Sequence, residues 1–96
     1  MDREEILKEL RDFKAERAEE FGITEIGVFG SVSRDDMNED SDLDVFVTTR
    51  TPNPFPLVHA KQELENRIRR RVDIVRLRDS MNPFLRARIE KEGIQV

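Results

Sequence analysis

Three aspartates stand inside apolar, strand-like runs of this chain, and they limit its fold more than any other feature. Strands disfavour aspartate. Yet Asp42 and Asp44 alternate with apolar residues in Ser41-Asp42-Leu43-Asp44-Val45-Phe46-Val47, and Asp73 sits within Arg71-Val72-Asp73-Ile74-Val75. Upstream, Val28-Phe29 runs into Gly30-Ser31, and ten mostly polar residues separate Ser31 from Asp42.

Side chains two apart on a strand share a face. Asp42 and Asp44 are therefore expected on one face, roughly 6.5–7 Å apart along the strand, with Leu43, Val45 and Val47 turned into the core. If Asp73 joins them from a neighbouring strand, each carboxylate pair at 4–6 Å costs about 3–4 kcal/mol at an effective dielectric of ~20. A divalent cation removes that penalty. Two metal ions of a phosphoryl-transfer site lie roughly 3.5–4 Å apart, and carboxylates so spaced can grip such a pair. Magnesium favours a few carboxylates together with substrate phosphates, so the pattern predicts a nucleotide as well as a metal. The competing EF-hand pattern, begun by Asp36-Met37-Asn38-Glu39-Asp40, fails. It requires Gly at position 41 and Glu at 47, where the chain has Ser41 and Val47.

Gly30 lets a phosphate approach the backbone closely. Ser31 offers a hydroxyl, and a helical turn starting there would aim free N–H groups at an anion.

The rest of the pattern describes one small α/β (α+β) domain spanning residues 1–96, with a small mixed sheet flanked by helices. A first helix is expected over Glu4–Phe21. Ile6, Leu7, Leu10, Phe13, Ala18 and Phe21 form its stripe, the stems of Lys14 and Arg17 flank it, Asp2 and Glu5 form a capping box, and Gly22 stops it. Strands follow at Ile23–Phe29 and Asp42–Thr49, joined by a polar connection with a short helical turn after Ser31. A second helix runs over Pro56–Arg70 with Leu57, Ala60, Lys61, Leu64 and Ile68 inward. A third strand covers Val72–Leu77. Asn82-Pro83 opens a third helix with Phe84, Leu85 and Ile89 inward and Gly93 as terminator, and residues 94–96 make a final short strand. The first two strands can pair antiparallel, and the second helix allows a crossover to the third.

Charge and composition exclude several classes. The formal net charge of -4 argues against a general nucleic-acid binder. Six carboxylates fall in residues 35–44 and six arginines in 67–78, so acid and base are segregated along the chain. No cysteine is present, which rules out disulfides and thiolate metal sites. No apolar run approaches the ~20 residues of a membrane span, and Met1-Asp2-Arg3-Glu4-Glu5 is unlike a signal peptide. A cytoplasmic protein without membrane association is expected.

With these residues in view, Gly30-Ser31-Val32-Ser33-Arg34 followed by Asp40-Ser41-Asp42-Leu43-Asp44-Val45 resembles the signature of the DNA polymerase β-like nucleotidyltransferase superfamily. Within it, the short chain is similar to the minimal nucleotidyltransferases over nearly its whole length. It departs at Asp35, where members commonly carry Gly. The resemblance implies a palm-like fold, two magnesium ions (with manganese as a substitute), and ATP or another nucleoside triphosphate as substrate. It implies that Ser31 helps hold the triphosphate, with Gly30 and Arg34 beside it as further nucleotide-binding candidates, and that Asp42, Asp44 and Asp73 are metal-binding and catalytic, Asp73 taking the acceptor's proton. It further implies transfer of AMP to a hydroxyl of a protein or small molecule, and a helical HEPN-type partner that such a chain serves as antitoxin. Two rivals stand beside this reading: a non-catalytic module that neutralises a helical partner by occlusion, and a nucleic-acid-binding domain built on the arginine cluster.

Four residue groups are ambiguous in sequence. Arg34 suits a phosphate or an acidic neighbour equally. Arg69-Arg70-Arg71 is expected as a solvated helix end complementing the dipole, with a partner contact as the alternative. His59 is expected at the surface. Phe55, between Pro54 and Pro56, is expected to pack its loop against the core rather than stack on a base.

Overall fold

The structure, a computed structural model, describes residues 2–34, 38 and 40–96. Asp35 and most of the EF-hand-like run, Asp36, Met37 and Glu39, lie outside the described residues. The element order is α1 (Arg3–Arg17), β1 (Ile23–Phe29), β2 (Leu43–Thr49), α2 (Phe55–Ile68), β3 (Val72–Arg76), α3 (Pro83–Glu92) and β4 (Ile94–Gln95). The strands form one mixed sheet in the order β3-β2-β1-β4. β1 pairs antiparallel with both β2 and β4, and β2 pairs parallel with β3 through the α2 crossover.

Local chemistry explains the helix ends. The Asp2 carboxylate accepts from the Glu5 N–H at 2.9 Å, and Glu5 accepts in return from the Asp2 N–H at 3.4 Å, a reciprocal capping box. Asn82 Oδ1 accepts from the N–H groups of Phe84 and Leu85, with Pro83 at the first position of α3. α2 ends two residues short of the expected Arg70, because Arg69 adopts the left-handed conformation (φ 61°) and donates its N–H to the Glu65 carbonyl.

Both faces of the sheet are covered. On one, Ile6, Leu10 and Phe13 of α1 and Ala60, Leu64 and Ile68 of α2 pack on Val28, Leu43, Val45, Val47 and Val72. On the other, α3 lays Ile89, with Leu85, over Phe29, Phe46 and Met81. Three expectations about packing fail. Lys61 is exposed rather than inward, since a residue one position past Ala60 leaves the buried stripe. Phe84 is 85% exposed, because the i, i+4 pair Leu85 and Ile89 occupies the inner face of α3. Phe55 is 76% exposed at the start of α2 and does not pack on the core. Among the described residues no helix is long and apolar enough to cross a membrane.

Candidate active site

Topology alone brings three chain segments to one end of the sheet. An antiparallel hairpin puts the end of β1 beside the start of β2, and a parallel crossover puts the start of β3 beside the start of β2 on its other side. Phe29 accordingly pairs with Asp44, and Asp44 pairs with Asp73. Adjacent residues in parallel register project to the same face, so Asp44 and Asp73 stand side by side. Their neighbours Leu43 and Val72, also paired, point into the opposite core. Asp42 precedes β2 rather than opening it, and it is exposed, as is Asp73; Asp44 is half-buried.

Burial, reinforced by the charges of Asp73 and Asp42, raises the Asp44 carboxyl above its ordinary range, while Arg88 and Arg34 pull it back. All three aspartates therefore share one electrostatic neighbourhood. Their side chains do not form a ready-made cage: among the described residues no three His, Cys, Asp or Glu are gathered tightly enough to hold a metal. The set fits a hard cation that takes part of its coordination from a substrate phosphate. It does not fit an all-protein site.

The Gly-Ser turn lies directly against Asp44. Gly30 has φ +76°, and a Cβ there would strike Asp44 Oδ2 and come 3.5 Å from Arg88 Nη2. Glycine is thus favoured by the backbone and by the position of the aspartate, a constraint additional to the phosphate access expected from sequence. The chain then makes one turn, with the Arg34 N–H and the Ser33 hydroxyl both donating to the Gly30 carbonyl. Val32, buried in the main core, pins the turn, and Ser31 is half-buried.

Arg34 is engaged by an acid far along the chain. Its Nη1 donates to both carboxylate oxygens of Glu92 at 3.3 Å. The same carboxylate accepts from Arg88 Nε at 3.4 Å, and Arg88 lies over the Phe29 ring at 5.7 Å. Desolvation opposes it, but the Arg34 hydrogen bond, the two guanidinium charges and the Gly30 N–H together hold the Glu92 carboxyl below its usual range.

Sequence reasoning missed Arg88 and Glu92, whose i, i+4 spacing on a short helix was their one local signal. It also misjudged Arg70. That residue is no solvated helix end: its Nη1 donates to the carbonyls of Asn38 at 2.7 Å and Ser41 at 2.8 Å, fixing the backbone immediately before Asp42. Arg69 and Arg71 are exposed, as is His59.

The sequence matches the nucleotidyltransferase domain family over residues 6–96. It is 35% identical over 94 residues to a Thermococcus cleftensis protein named protein adenylyltransferase MntA, covering 97% of this chain and 94% of that one. The fold superposes on a solved candidate minimal nucleotidyltransferase with a TM-score of 0.81, at 33% identity, covering 100% of this chain and 97% of the other. It also superposes, with a TM-score of 0.66 at 26% identity, on a chain in the solved complex of tri-AMPylated Shewanella oneidensis HEPN toxin with MNT antitoxin, covering 95% of this chain and 70% of that one.

Proposed function

Because this chain belongs to the nucleotidyltransferase domain family, we propose that it transfers AMP from ATP to a hydroxyl of a helical HEPN-type protein and so acts as that protein's antitoxin. The observation that carries the reading is the pairing of Asp44 with Asp73 on one face, under the Gly30 turn and two residues beyond Asp42. The adenylyltransferase name of the Thermococcus relative and the AMPylated toxin in the Shewanella complex support the choice of nucleotide and partner.

In this reading Gly30, Ser31 and Arg34 hold the triphosphate, and Asp42, Asp44 and Asp73 hold magnesium. Bound there, magnesium neutralises charge on the reacting phosphates. Asp73, exposed at the sheet edge, accepts the proton of the acceptor hydroxyl. The acceptor oxygen bonds to the α-phosphorus, the bond from that phosphorus to the oxygen bridging the β-phosphate breaks, and pyrophosphate leaves. Arg70 holds the carbonyls of Asn38 and Ser41 so that Asp42 keeps its place beside Asp44. The chain contributes positioning and fixed charge rather than a covalent intermediate.

The test is incubation with α-labelled ATP, magnesium and a co-expressed HEPN partner, followed by mass spectrometry of that partner. An AMP adduct from the wild type, absent from Asp42→Ala and Asp44→Ala variants that still bind the partner, supports the proposal. Neutralisation of the partner that is unchanged in both variants would establish occlusion instead.

A further inference from the structure

We propose that the groove between α2 and the outer edge of β3 docks an acidic, hydroxyl-bearing segment of the acceptor protein. The inference rests on Asp73 belonging to the reaction centre. The groove measures about 520 Å³, and its walls include Asp73 itself, Leu57 and Val58 from α2, and the cations Lys61, Arg76 and Arg78.

Position comes first. β3 is the edge strand, and the Gly30 turn lies on the far side of β2. With strands about 4.8 Å apart, the triphosphate-holding turn and the groove sit roughly 10 Å from each other, with Asp44 and Asp73 between them. An acceptor must reach the α-phosphate from the side opposite the leaving pyrophosphate, and the groove lies at the β3 edge, across β2 from the turn proposed to hold the triphosphate.

Charge comes second. The protein is acidic overall, and several of its cations are neutralised within the fold: Arg17 by Glu20 and Glu63, Arg67 by Glu16 and Glu63, Arg86 by Asp79 and Glu90. Lys61, Arg76 and Arg78 form no ion pair among the described residues; Arg78 Nη1 donates only to the Arg76 carbonyl. Three such cations beside a nucleophile-activating carboxylate select an acceptor that brings its own negative charge. Leu57 and Val58, with Phe55 exposed at the helix start, give the aliphatic part of that segment a surface to cover. A nucleic acid would meet this apolar wall with its phosphates and would be repelled by the net charge of -4.

The experiment uses the full chain and fluorescence anisotropy with three labelled probes of equal length: a glutamate-rich peptide carrying one serine and one tyrosine, its lysine-rich counterpart, and a single-stranded oligonucleotide. The acidic peptide is expected to bind at least tenfold more tightly than the other two. Lys61→Glu/Arg76→Glu is expected to weaken it at least tenfold, and the milder Lys61→Gln/Arg76→Gln to weaken it by an intermediate factor, with unchanged melting curves. Magnesium-ATP is expected to leave the peptide bound. Equal binding of acidic and basic peptides, unchanged binding by both variants, preference for the oligonucleotide, or displacement by magnesium-ATP would each overturn the proposal. Magnesium-ATP binding to wild type and to Asp44→Asn is measured in parallel: its absence from wild type sinks the reaction-centre reading, a failure distinct from loss of peptide binding.

Discussion

Gly30→Ala and Gly22→Ala form a matched pair that separates backbone strain from damage to the site. Both glycines have positive φ, +76° and +72°. Placing an L-residue there costs about 1–2 kcal/mol, partly offset by ~0.4–1 kcal/mol from the stiffer unfolded chain. A Cβ at Gly22 meets nothing within 4 Å. Gly22→Ala should therefore lose about 1 kcal/mol, a drop in Tm of roughly 4–8 °C for a domain of this size. A Cβ at Gly30 strikes the Asp44 carboxylate. That group ends a short side chain and can rotate away, at about 0.5–1.5 kcal/mol if forced off its rotamer, so the total loss should stay near 2 kcal/mol. The consequence for function is larger, because the displaced group is one of the three carboxylates. Isothermal titration of magnesium-ATP should show Gly22→Ala within twofold of wild type and Gly30→Ala weakened at least tenfold. Equal Tm drops together with unchanged magnesium-ATP affinity in Gly30→Ala would refute both the contact and the role assigned to Asp44.

Three further outcomes are expected. Without divalent cation, Asp44→Asn should raise Tm at pH 7 while abolishing transfer by more than about 100-fold. The Asp44 pKa is raised by burial and by its acidic neighbours, so the native state binds more protons than the unfolded chain between the two pKa values. Ionised Asp44 thus destabilises the fold fully above its native pKa, and the advantage of Asn should vanish as pH falls to the unfolded value near 3.8, as a pH series of denaturant melts would show. Glu92→Gln removes the carboxylate shared by Arg34 and Arg88, and should tighten magnesium-ATP by a few-fold at low salt and less at high salt, as expected for a solvent-screened pair; weaker binding would mean that Glu92 aligns the guanidiniums rather than occupying them. Gly27→Ala drives a Cβ into the Ile94 carbonyl and the Phe46 ring, neither of which can yield as Asp44 can, and should cost about 1–3 kcal/mol in chemical denaturation.

The fold was legible where the pattern was local. Period-two alternation at 43–47 identified the core face of β2, helical spacing identified α1, and the capping residues Asp2 and Asn82 marked two helix starts within a residue. The second core was not legible. Phe46 shares its face with Asp44 rather than with the core residues Leu43, Val45 and Val47, and only α3 packing back across Phe29 reveals that this face is also buried. Phe84 and Phe55 were misjudged because an aromatic in a proline-containing first turn carries too little periodicity to fix its direction. The aspartates were legible because strands so rarely hold them. Their supports were not: Arg34 and Glu92 are 58 positions apart, and Arg70 acts on carbonyls about 30 positions away. Pairs of that separation leave no trace in a local window.

What the sheet supplies is an arrangement of ends. β2 has an antiparallel neighbour on one side and a parallel one on the other, so the end of β1 and the starts of β2 and β3 must meet, whatever residues they carry. Asp44 and Asp73 are each the second residue of their strand, which is what puts them on the face opposite the α1–α2 core rather than in it; a slip of one residue would bury both. The fold tolerates them because, of the three, Asp44 alone is half-buried, while Asp42 and Asp73 keep their solvent. Two arginines of opposite halves of the chain, Arg34 and Arg88, then supply positive charge beside Asp44 and share one carboxylate, Glu92, which offsets part of it. The site thus has partly offset positive charge on the turn side and carboxylates at its centre, with cations on the β3 side that form no ion pair among the described residues. On the proposed reading a polyanionic nucleotide enters with its own cations, and an acceptor that carries negative charge is drawn to the β3 side, where Lys61, Arg76 and Arg78 form no ion pair among the described residues.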